Sequence, residues 1–312
     1  MKLKSILLLT FIVFIFCNCQ SQHPATTSFT VASYNLRNAN AGDSANGNGW
    51  GQRYPIIAQI AQYHEFDIFG TQECFLHQLK DMEKALPKYA YIGVGRDDGK
   101  DQGEHSAIFY RKDKFEVMDK GDFWLSETPE VPSKGWDAVL PRICSWGHFK
   151  CIDTGFEFLF FNLHMDHIGK QARVESAYLV QEKMKEIGSD LPAILTGDFN
   201  VDQTHQSYDA FVSNGVLCDS YEKTDNRYAI NGTFNGFDPN SFTSSRIDHV
   251  FVSPSFHIKK YGVLTDTYRG IKANSDKKDV ADCPEEITIK AYEARTPSDH
   301  FPVKVELEYQ SK

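Results

Sequence analysis

Short apolar runs of strand length alternate with amphipathic segments of helical spacing through the first two thirds of the chain. Residues 29–34 predict a strand, and residues 53–64 predict a helix because Ile56, Ile57 and Ile60 fall on one face. The last third holds more strand than helix. Since a sheet and an amphipathic helix each bury an apolar face against a neighbour, the alternation predicts an α/β protein with helices packed outside its sheets.

The remaining elements follow the same two periodicities. Residues 142–152 and 156–163 predict a hairpin, and the spacing of apolar residues after Gly169 predicts a helix. Three stretches lose apolar periodicity to glycine, asparagine and charged residues, and long stretches of this kind in a compact domain are usually functional or disordered. These predicted loops are residues 41–52, 224–245 and 265–286. No internal repeat or low-complexity linker interrupts the pattern, so a single domain is expected over residues 20–312.

The first 19 residues have the layout of a secretory signal peptide. Lys2 and Lys4 precede an apolar run at residues 6–16, which is too short to span a bilayer, and Cys17 and Cys19 follow it. A cysteine directly after the run is typical of bacterial lipoprotein signals, although the residues before each cysteine fit that signal poorly and ordinary cleavage stays an alternative. We expect an exported protein at the periplasm or cell surface, held at the membrane by a lipid anchor.

Charge limits the partners of the chain. The formal net charge is −9, and loss of the two lysines in the leader changes it to −11. Strong binding to polyanions is therefore not expected, and no stretch interleaves basic and aromatic residues as processive nucleic-acid enzymes do. We expect a monomer.

Five cysteines lie beyond the leader, and their odd number and wide spacing argue against a disulfide framework. Cys144 and Cys151 on one strand would lie about 23 Å apart at about 3.3 Å per residue. That separation is far beyond the limit of roughly 7 Å between the α-carbons of a disulfide. Free, mostly buried thiols are expected at Cys74, Cys144, Cys151, Cys218 and Cys283.

Polar side chains cluster where predicted strands end. They are Asn35, Glu73, His164, Asp198, Asn200, Asp299 and His300, and Asp248 opens a strand. Taken singly, each has an ordinary alternative as a helix cap, a turn or a surface pair. Together they offer oxygen ligands of the kind that Mg²⁺ or Mn²⁺ prefers, histidines that can donate to phosphate oxygens, and a carboxylate that can accept a proton from water. The set favours hydrolysis of a phosphate ester.

Residues 162–169, NLHMDHIG, allow a second interpretation. They are one residue short of the H-x-H-x-D-H-x-G signature of metallo-β-lactamase-type zinc hydrolases, with Asn162 in place of the first histidine. A zinc site would call for more imidazole or thiolate. In the phosphohydrolase interpretation only His164 is needed, and Asp166 and His167 are additional groups at the rim of a cleft.

The ordered set SYNLR…TQE…GEHSAIFYR…NLH…GDFN…RIDHVF…SDH resembles the endonuclease/exonuclease/phosphatase superfamily from about residue 29 to about residue 309. The superfamily includes pancreatic-type deoxyribonucleases, abasic-site endonucleases, deadenylases, neutral sphingomyelinases and inositol-polyphosphate 5-phosphatases. The resemblance implies a four-layer α-β-β-α sandwich of two packed mixed sheets with outer helices. It also implies hydrolysis of a phosphoester by in-line attack of an activated water, with Mg²⁺ as cofactor and Mn²⁺ as a substitute.

The resemblance assigns roles to residues at the metal and at the water. Asn35, Glu73 and Asp299 would surround the metal. Asp198 would orient or deprotonate the water, with Asn200 beside it holding the phosphate.

Other positions would handle the phosphate and its charge. His164 would contact the scissile phosphate, and Asp248 would pair with His300 and fix its orientation. Glu104 matches a deoxyribonuclease glutamate that faces the histidine region, with an exposed acid as the alternative. Arg142 is the predicted cation near the phosphate, with a surface arginine as the alternative.

One position departs from the pattern. Where some relatives carry an acidic residue two positions after the first asparagine, this chain has Arg37. The change removes a metal ligand, favours one metal ion and makes Arg37 a candidate contact for the phosphate, together with His167.

The substrate is left open by the sequence: a nucleic acid, a lipid headgroup, an inositol phosphate or a sugar phosphate. Three tryptophans either wall the cleft or belong to the core, namely Trp124, Trp136 and Trp146. A non-catalytic binding lipoprotein on the same fold is the alternative to an enzyme.

Overall fold

The computed structural model describes residues 26–271 and 292–310, together with the single residues 284, 286, 287 and 289. The predicted leader and Cys283 lie outside the described residues. Within the described part, no helix has both the length and the apolar character needed to cross a membrane. The cysteines that the structure describes are free, as expected: Cys74, Cys144, Cys151 and Cys218.

The described residues begin with strands and helices in alternation, continue with five strands in succession, and are mostly strand after the long helix that follows them. The strands are β1 (Thr26–Asn35), β2 (Ile68–Gln72), β3 (Tyr89–Ile92), β4 (Ile108–Arg111), β5 (Phe115–Trp124), β6 (Ile143–Cys151), β7 (Glu157–His164), β8 (Ala193–Asp198), β9 (Cys218–Asp219), β10 (Asn226–Tyr228), β11 (Asp248–Val252), β12 (His257–Val263), β13 (Tyr268–Ile271), β14 (Tyr292–Arg295) and β15 (Val303–Gln310). The helices are α1 (Ala41–Ala45), α2 (Trp50–Tyr63), α3 (Leu76–Ala85), α4 (Lys170–Gly188), α5 (Gln206–Val212) and α6 (Ser220–Lys223).

Two mixed sheets carry most of the strands. The first sheet has the order β10-β12-β15-β1-β2-β4-β3, the second has the order β5-β6-β7-β8-β11-β9, and β13 pairs with β14 separately. In the first sheet β1 runs parallel to β2 and antiparallel to β15. In the second, β7 runs parallel to β8 and antiparallel to β6, which confirms the predicted hairpin.

Three apolar clusters define the layers of the fold. Between the sheets, Phe29 of the first stacks on Phe158 of the second, with ring centroids 5.0 Å apart. On the outer face of the first sheet, Ile57 and Leu79 bring α2 and α3 into a second cluster. Val180 and Phe211 bring α4 and α5 onto the second sheet in a third cluster. The layers run helix, sheet, sheet, helix, and the predicted four-layer sandwich is confirmed.

A buried polar link joins the two sheets. Asn162 on β7 donates from Nδ2 to the carbonyl oxygens of Thr71 (2.9 Å) and Ala107 (3.1 Å). Its Oδ1 accepts from Gln72 Nε2 at 2.7 Å. Gly70 leaves room for this approach, because a Cβ there would lie 2.1 Å from Asn162 Oδ1. The polar atoms of Asn162 are thus occupied between the sheets, and the side chain does not take the place of a zinc ligand.

The predicted loops differ from the observed structure. Residues 41–52 were expected to be a loop, and this is wrong: they contain α1 and the start of α2. Asn40 caps α1, because its side chain accepts from the backbone N–H of Asp43 at 2.8 Å. Residues 224–245 contain only the short β10. Residues 265–286 begin with β13 and then pass out of the described residues.

Candidate active site

Polar side chains of the second sheet meet at one of its ends. The parallel strands β7 and β8 end in register, so that His164 lies opposite Asp198. The antiparallel β11 begins at the same end, with Asp248 opposite Asp198. A turn after β8 then places Asn200, which donates from Nδ2 to the carbonyl oxygen of Met165 at 2.9 Å.

The first sheet brings its own side chains to the same end. β1 ends at Asn35, Glu73 follows β2, and the antiparallel β15 is preceded by Asp299 and His300. Asn35 connects the sheets, since its Nδ2 donates to Glu73 Oε1 and to Asp198 Oδ2, both at 3.0 Å. The two carboxylates are therefore held at fixed positions by one buried amide.

Glu73 and Asp299 face a common cation. Arg37 Nη1 lies 3.8 Å from Glu73 Oε2 and 3.5 Å from Asp299 Oδ2, and its Nε donates to Asp43 at 2.9 Å. Arg37 and Glu73 both have left-handed backbone conformations, with φ of 58° and 68°. Such conformations cost on the order of 1 kcal/mol each and are found at functional sites.

This donor set fits a divalent metal ion. Glu73, His164 and Asp198 each offer a ligand atom, and these atoms lie within 4.8 Å of one another. The carboxylates of Glu73 and Asp198 provide the oxygen-rich, negative environment that Mg²⁺ prefers. Asn35 Oδ1 accepts from the backbone N–H of Arg37 at 2.9 Å, so in this orientation the amide holds the carboxylates, and its role as a metal ligand stays a prediction.

His300 and Asp248 are paired. His300 Nδ1 lies 2.9 Å from Asp248 Oδ2, and both side chains are buried. Burial lowers the pKa of His300, but the carboxylates of Asp248 and Asp198 outweigh it and raise the pKa well above its usual value. These carboxylates favour the protonated imidazole, whose Nε2 lies 3.8 Å from Asp198 Oδ2.

The environments of Asp198 and His164 shift their pKa values in opposite directions. Burial, followed by the charge of Asp248, raises the pKa of Asp198 to about 7. Burial, followed by the guanidinium groups of Arg142 and Arg96, lowers the pKa of His164 well below its usual value. His164 Nε2 lies 3.5 Å from Asp198 Oδ2, so a neutral imidazole faces a carboxyl group that is ready to exchange a proton near neutral pH.

A buried cationic wall lies beside these groups. Arg142 Nε donates to Asp166 Oδ2 at 3.3 Å, and its Nη2 lies 2.9 Å from His167 Nδ1. Arg96 pairs with Glu104, whose pKa is raised by burial. Arg142, His167 and Glu104 thus all reach the site, and the alternative of exposed surface residues for Arg142 and Glu104 is wrong.

The comparisons with known proteins agree with this geometry. A model described as the Endonuclease/Exonuclease/phosphatase family matches residues 32–300. The chain belongs to the endonuclease/exonuclease/phosphatase family. Its membership makes the protein a phosphoester hydrolase of a metal-dependent family.

Solved structures of this family superpose over nearly the whole chain. A mannosyl-6-phosphatase from Bacteroides thetaiotaomicron VPI-5482 is 79% identical, with a TM-score of 0.83 over 89% of this chain and 99% of that chain. A Bacteroides thetaiotaomicron protein of the endonuclease/exonuclease/phosphatase family is 78% identical, with a TM-score of 0.86 over 92% and 100%. A Bacteroides vulgatus endonuclease/exonuclease/phosphatase is 37% identical, with a TM-score of 0.78 over 91% and 100%.

The cleft of this family member measures about 770 Å³. Its lining contains most of the predicted site residues: Arg37, Glu73, Glu104, Arg142, His164, His167, Asp198, Asn200, Asp299 and His300. Asn35 and Asp248 lie fully buried behind them. Among the described residues of the lining, the aromatic side chains are Phe234 and Phe237, and of the two alternatives for the tryptophans the cleft wall is not observed there. Trp124 instead is buried and donates from Nε1 to the carbonyl oxygen of Arg96 at 2.7 Å.

Several functional neighbours were not found from the sequence. Arg96 and Asn38 carry no motif, yet Asn38 Nδ2 donates to Glu73 at 3.2 Å and to Glu104 at 3.1 Å. The phenylalanines of the lining lie in a stretch predicted only as a loop. The last of these neighbours is Arg53. Its signal in the sequence was the position of an arginine on the apolar face of a predicted helix.

Arg53 is fully buried and ties together the loops around the site. Its Nη1 donates to the carbonyl oxygens of Leu36 (2.7 Å) and Pro297 (2.9 Å). Its Nε and Nη2 donate to the carbonyl oxygens of Asn48 (2.8 Å) and Arg37 (3.1 Å). One guanidinium group therefore fixes the end of β1, the turn before Asp299 and the rim at Asn48.

Proposed function

We propose that the protein removes the phosphate from a phosphate monoester at the primary hydroxyl of a mannose residue, with Mg²⁺ as cofactor. The observation that carries this proposal is the 79% identity, over 89% of the chain, to a protein named mannosyl-6-phosphatase. The cleft also offers the cations, the base and the hydrogen-bond donors that hydrolysis of a phosphate monoester needs.

A monoester phosphate brings two negative charges, and the cleft is built to receive them. Arg37, Arg96 and Arg142 line it, and His300 adds a further positive charge because its pKa is raised. Guanidinium groups bind phosphate oxygens through paired N–H donors. Each of these arginines also pairs with a carboxylate, but Arg96 Nε and Arg142 Nη1 have no hydrogen-bond partner among the described residues. A diester bears only one negative charge and a second bulky substituent, so these remaining donors favour the monoester.

Asp198 is placed to activate water. Its pKa near 7 means that the carboxylate is a stronger base than an exposed aspartate, close to the optimum for proton transfer at neutral pH. The backbone N–H of Asn200 donates to Asp198 Oδ1 at 2.9 Å and Asn35 Nδ2 donates to Oδ2 at 3.0 Å, so the carboxylate is fixed in place. Each carboxylate oxygen can accept a second hydrogen bond, and Oδ2 can take that of the water. Attack in line with the departing sugar oxygen then needs only that the phosphate sits between Asp198 and the cleft mouth.

The two histidines stabilise the phosphate differently. His300, protonated and oriented by Asp248, offers a charged N–H donor. His164, neutral because of its burial and the neighbouring arginines, offers a donor without adding charge. Donors fixed in advance around the oxygens on which charge accumulates are usually a large part of catalytic stabilisation.

Glu73 would hold the metal, with Asn35 fixing its position, and Asp299, which shares the Arg37 guanidinium group with Glu73, would hold it from the other side. A bound Mg²⁺ would neutralise charge on the phosphate oxygens and polarise the ester. Arg37 contacts the same two carboxylates, so it stands where a second cation would bind and supports a site with one metal ion.

The proposal is tested with a panel of phosphoesters. The purified protein with Mg²⁺ should release phosphate from mannose 6-phosphate, and activity should vanish with a chelator and return with Mg²⁺ or Mn²⁺. A sugar phosphodiester, an inositol phosphate and single-stranded DNA should react at least tenfold more slowly. Preference for a diester, or restoration by Zn²⁺ alone, would overturn the proposal.

A further inference from the structure

A loop at the opening of the cleft is held in place by the active site itself. This mouth loop, residues 233–239, has the backbone N–H groups of Asn235 and Gly236 donating to the carbonyl oxygen of Asp299 at 2.8 and 3.1 Å. Phe301 N in turn donates to the carbonyl oxygen of Thr233 at 2.7 Å. Any ligand that contacts this loop is therefore positioned relative to Asp299 and the phosphate.

The mouth loop presents two phenylalanines to the cleft. Phe234 is 46% exposed, and its ring lies edge-on against His300 with centroids 5.1 Å apart. Phe237 has a left-handed backbone with φ of 64°, its N–H donates to Asn235 Oδ1 at 2.8 Å, and its ring lies 5.4 Å from the guanidinium carbon of Arg53. A phenylalanine at positive φ is a strained conformation of the kind found at functional sites, and Phe234 places a partly exposed ring beside it at the edge of the catalytic cleft, which favours a role in ligand contact.

A second pocket of about 320 Å³ adjoins the cleft. The two share Asn46, Asn48 and Phe237, and the second pocket adds Asp238 and Glu293. The side chain of Arg295 braces its walls.

Arg295 braces the second pocket. Its Nη1 donates to the carbonyl oxygen of Asn46 at 3.0 Å and to Asn48 Oδ1 at 2.9 Å, and its Nη2 pairs with Glu293. The guanidinium group is thus engaged with Glu293 and Asn48, while the carboxylate of Asp238 and the side-chain N–H groups of Asn46 and Asn48 still line the pocket. This balance disfavours an anionic occupant and suits one with many neutral hydroxyl groups.

We propose that the second pocket is a glycan subsite, so that the natural substrate is a phosphorylated oligosaccharide and not a free sugar phosphate. The phosphorylated ring lies between Phe234 and Phe237, and the next, neutral sugar occupies the pocket of Asn48, Asp238 and Glu293. Aromatic rings pack against the C–H faces of pyranoses, and carboxylates and amides bond their hydroxyl groups. This inference rests on the proposed monoesterase function.

The test compares three monoesters of primary hydroxyl groups. They are glycerol 1-phosphate, mannose 6-phosphate and an α-linked mannobiose whose nonreducing mannose carries the 6-phosphate. In the parent protein kcat/KM should rise in that order, by about tenfold at each step, since an ordered contact of about 1.4 kcal/mol corresponds to a factor of ten.

Variants separate the two parts of the subsite. Phe237→Ala should lower kcat/KM for both mannose esters relative to glycerol 1-phosphate by about tenfold, and Phe237→Tyr should restore it. Asp238→Ala removes an exposed carboxylate that accepts from the backbone N–H of Asn240 at 2.9 Å, and it should lower kcat/KM for the mannobiose ester alone. Phe242→Ala is the matched control, because Phe242 is 76% exposed and lies outside the cleft lining.

The outcomes distinguish the two proposals. If no monoester is hydrolysed, the proposed function is wrong. If all three are hydrolysed with equal kcat/KM, or if each variant lowers all three rates by the same factor, the monoesterase stands and the glycan subsite is wrong.

Discussion

The floor and the mouth of the cleft are built in contrasting ways. The floor consists of polar side chains at most 9% exposed, namely Asn35, Glu73, Asp198, Asp248, Asp299 and His300, which strand ends hold and which bond one another. The mouth consists of loops, with Phe234 46% exposed and Phe237 at positive φ. The floor is fixed by two sheets, whereas the mouth is fixed by hydrogen bonds to a few backbone atoms.

This difference separates two kinds of functional effect. In the proposed function the floor would contact the phosphate and the water, so a change in the floor should slow every substrate by the same factor. The mouth would contact the leaving group, so the effect of a change in the mouth should depend on the substrate. Each of the following predictions would be contradicted by the opposite pattern.

The largest expected effect is that of Asp198→Asn. The substitution keeps the volume of the side chain and removes its basicity, and general-base contributions are typically about 10²- to 10⁴-fold. We expect kcat to fall by at least that order for every ester tested, with an unchanged melting temperature. Asp190→Asn, at an exposed position, is the control. Near-parental rates in Asp198→Asn would show that another group activates the water.

A smaller loss is expected for the pair that orients the floor histidine. Asp248→Asn should lower kcat by about 10- to 100-fold, the range typical for removing the partner that orients a functional histidine. Combined with His300→Ala, it should add little to the loss from His300→Ala alone, because residues that act as a unit are not additive. The double-mutant cycle is measured on mannose 6-phosphate, and fully additive losses would contradict the pairing.

The smallest effect is expected where floor and mouth are joined, at Arg53. Lysine keeps the charge but lacks the fork of donors that reaches four carbonyl oxygens, so Arg53→Lys should lower the free energy of unfolding by on the order of 2 kcal/mol. We expect KM to rise by about tenfold, which corresponds to the loss of one contact of about 1.4 kcal/mol. The change in kcat should be smaller, because the rim at Asn48 is released while the strand ends stay in place. The control is Arg269→Lys, at an exposed position. A fall in kcat without a change in KM would place Arg53 with the floor.

The floor was predictable from the sequence because strand periodicity and short motifs coincide there. Asp198 and Asn200 follow an apolar run, and Asp299 and His300 precede another, so parallel and antiparallel register alone brings them to one end of the sheets. The alternation predicted only helices packed outside sheets, and the four-layer arrangement was implied by the resemblance to the superfamily. β5 was missed because charged residues are exposed along its middle and weaken the alternation.

The mouth was not predictable, for a physical reason. Its residues are joined by contacts between segments far apart in the chain, such as Arg295 with Asn46, and no local periodicity records such contacts. Asn38 and Arg96 act on Glu73 and Glu104 in the same long-range way. A left-handed phenylalanine such as Phe237 also has no sequence signal, because its conformation is imposed by the turn at Asn235.

The link between Asn162 and β2 of the first sheet has an evolutionary consequence. Any side chain at position 70 would push against Asn162, and replacement of Asn162 would remove the donor that it provides to the carbonyl oxygens of Thr71 and Ala107. Selection should therefore remove mutations at positions 70 and 162, whereas substitutions in residues 233–239 leave the reactive groups in place. Descendants of such a protein can acquire new substrates by drift or recombination at the rim, on an inherited frame that selection does not allow to vary.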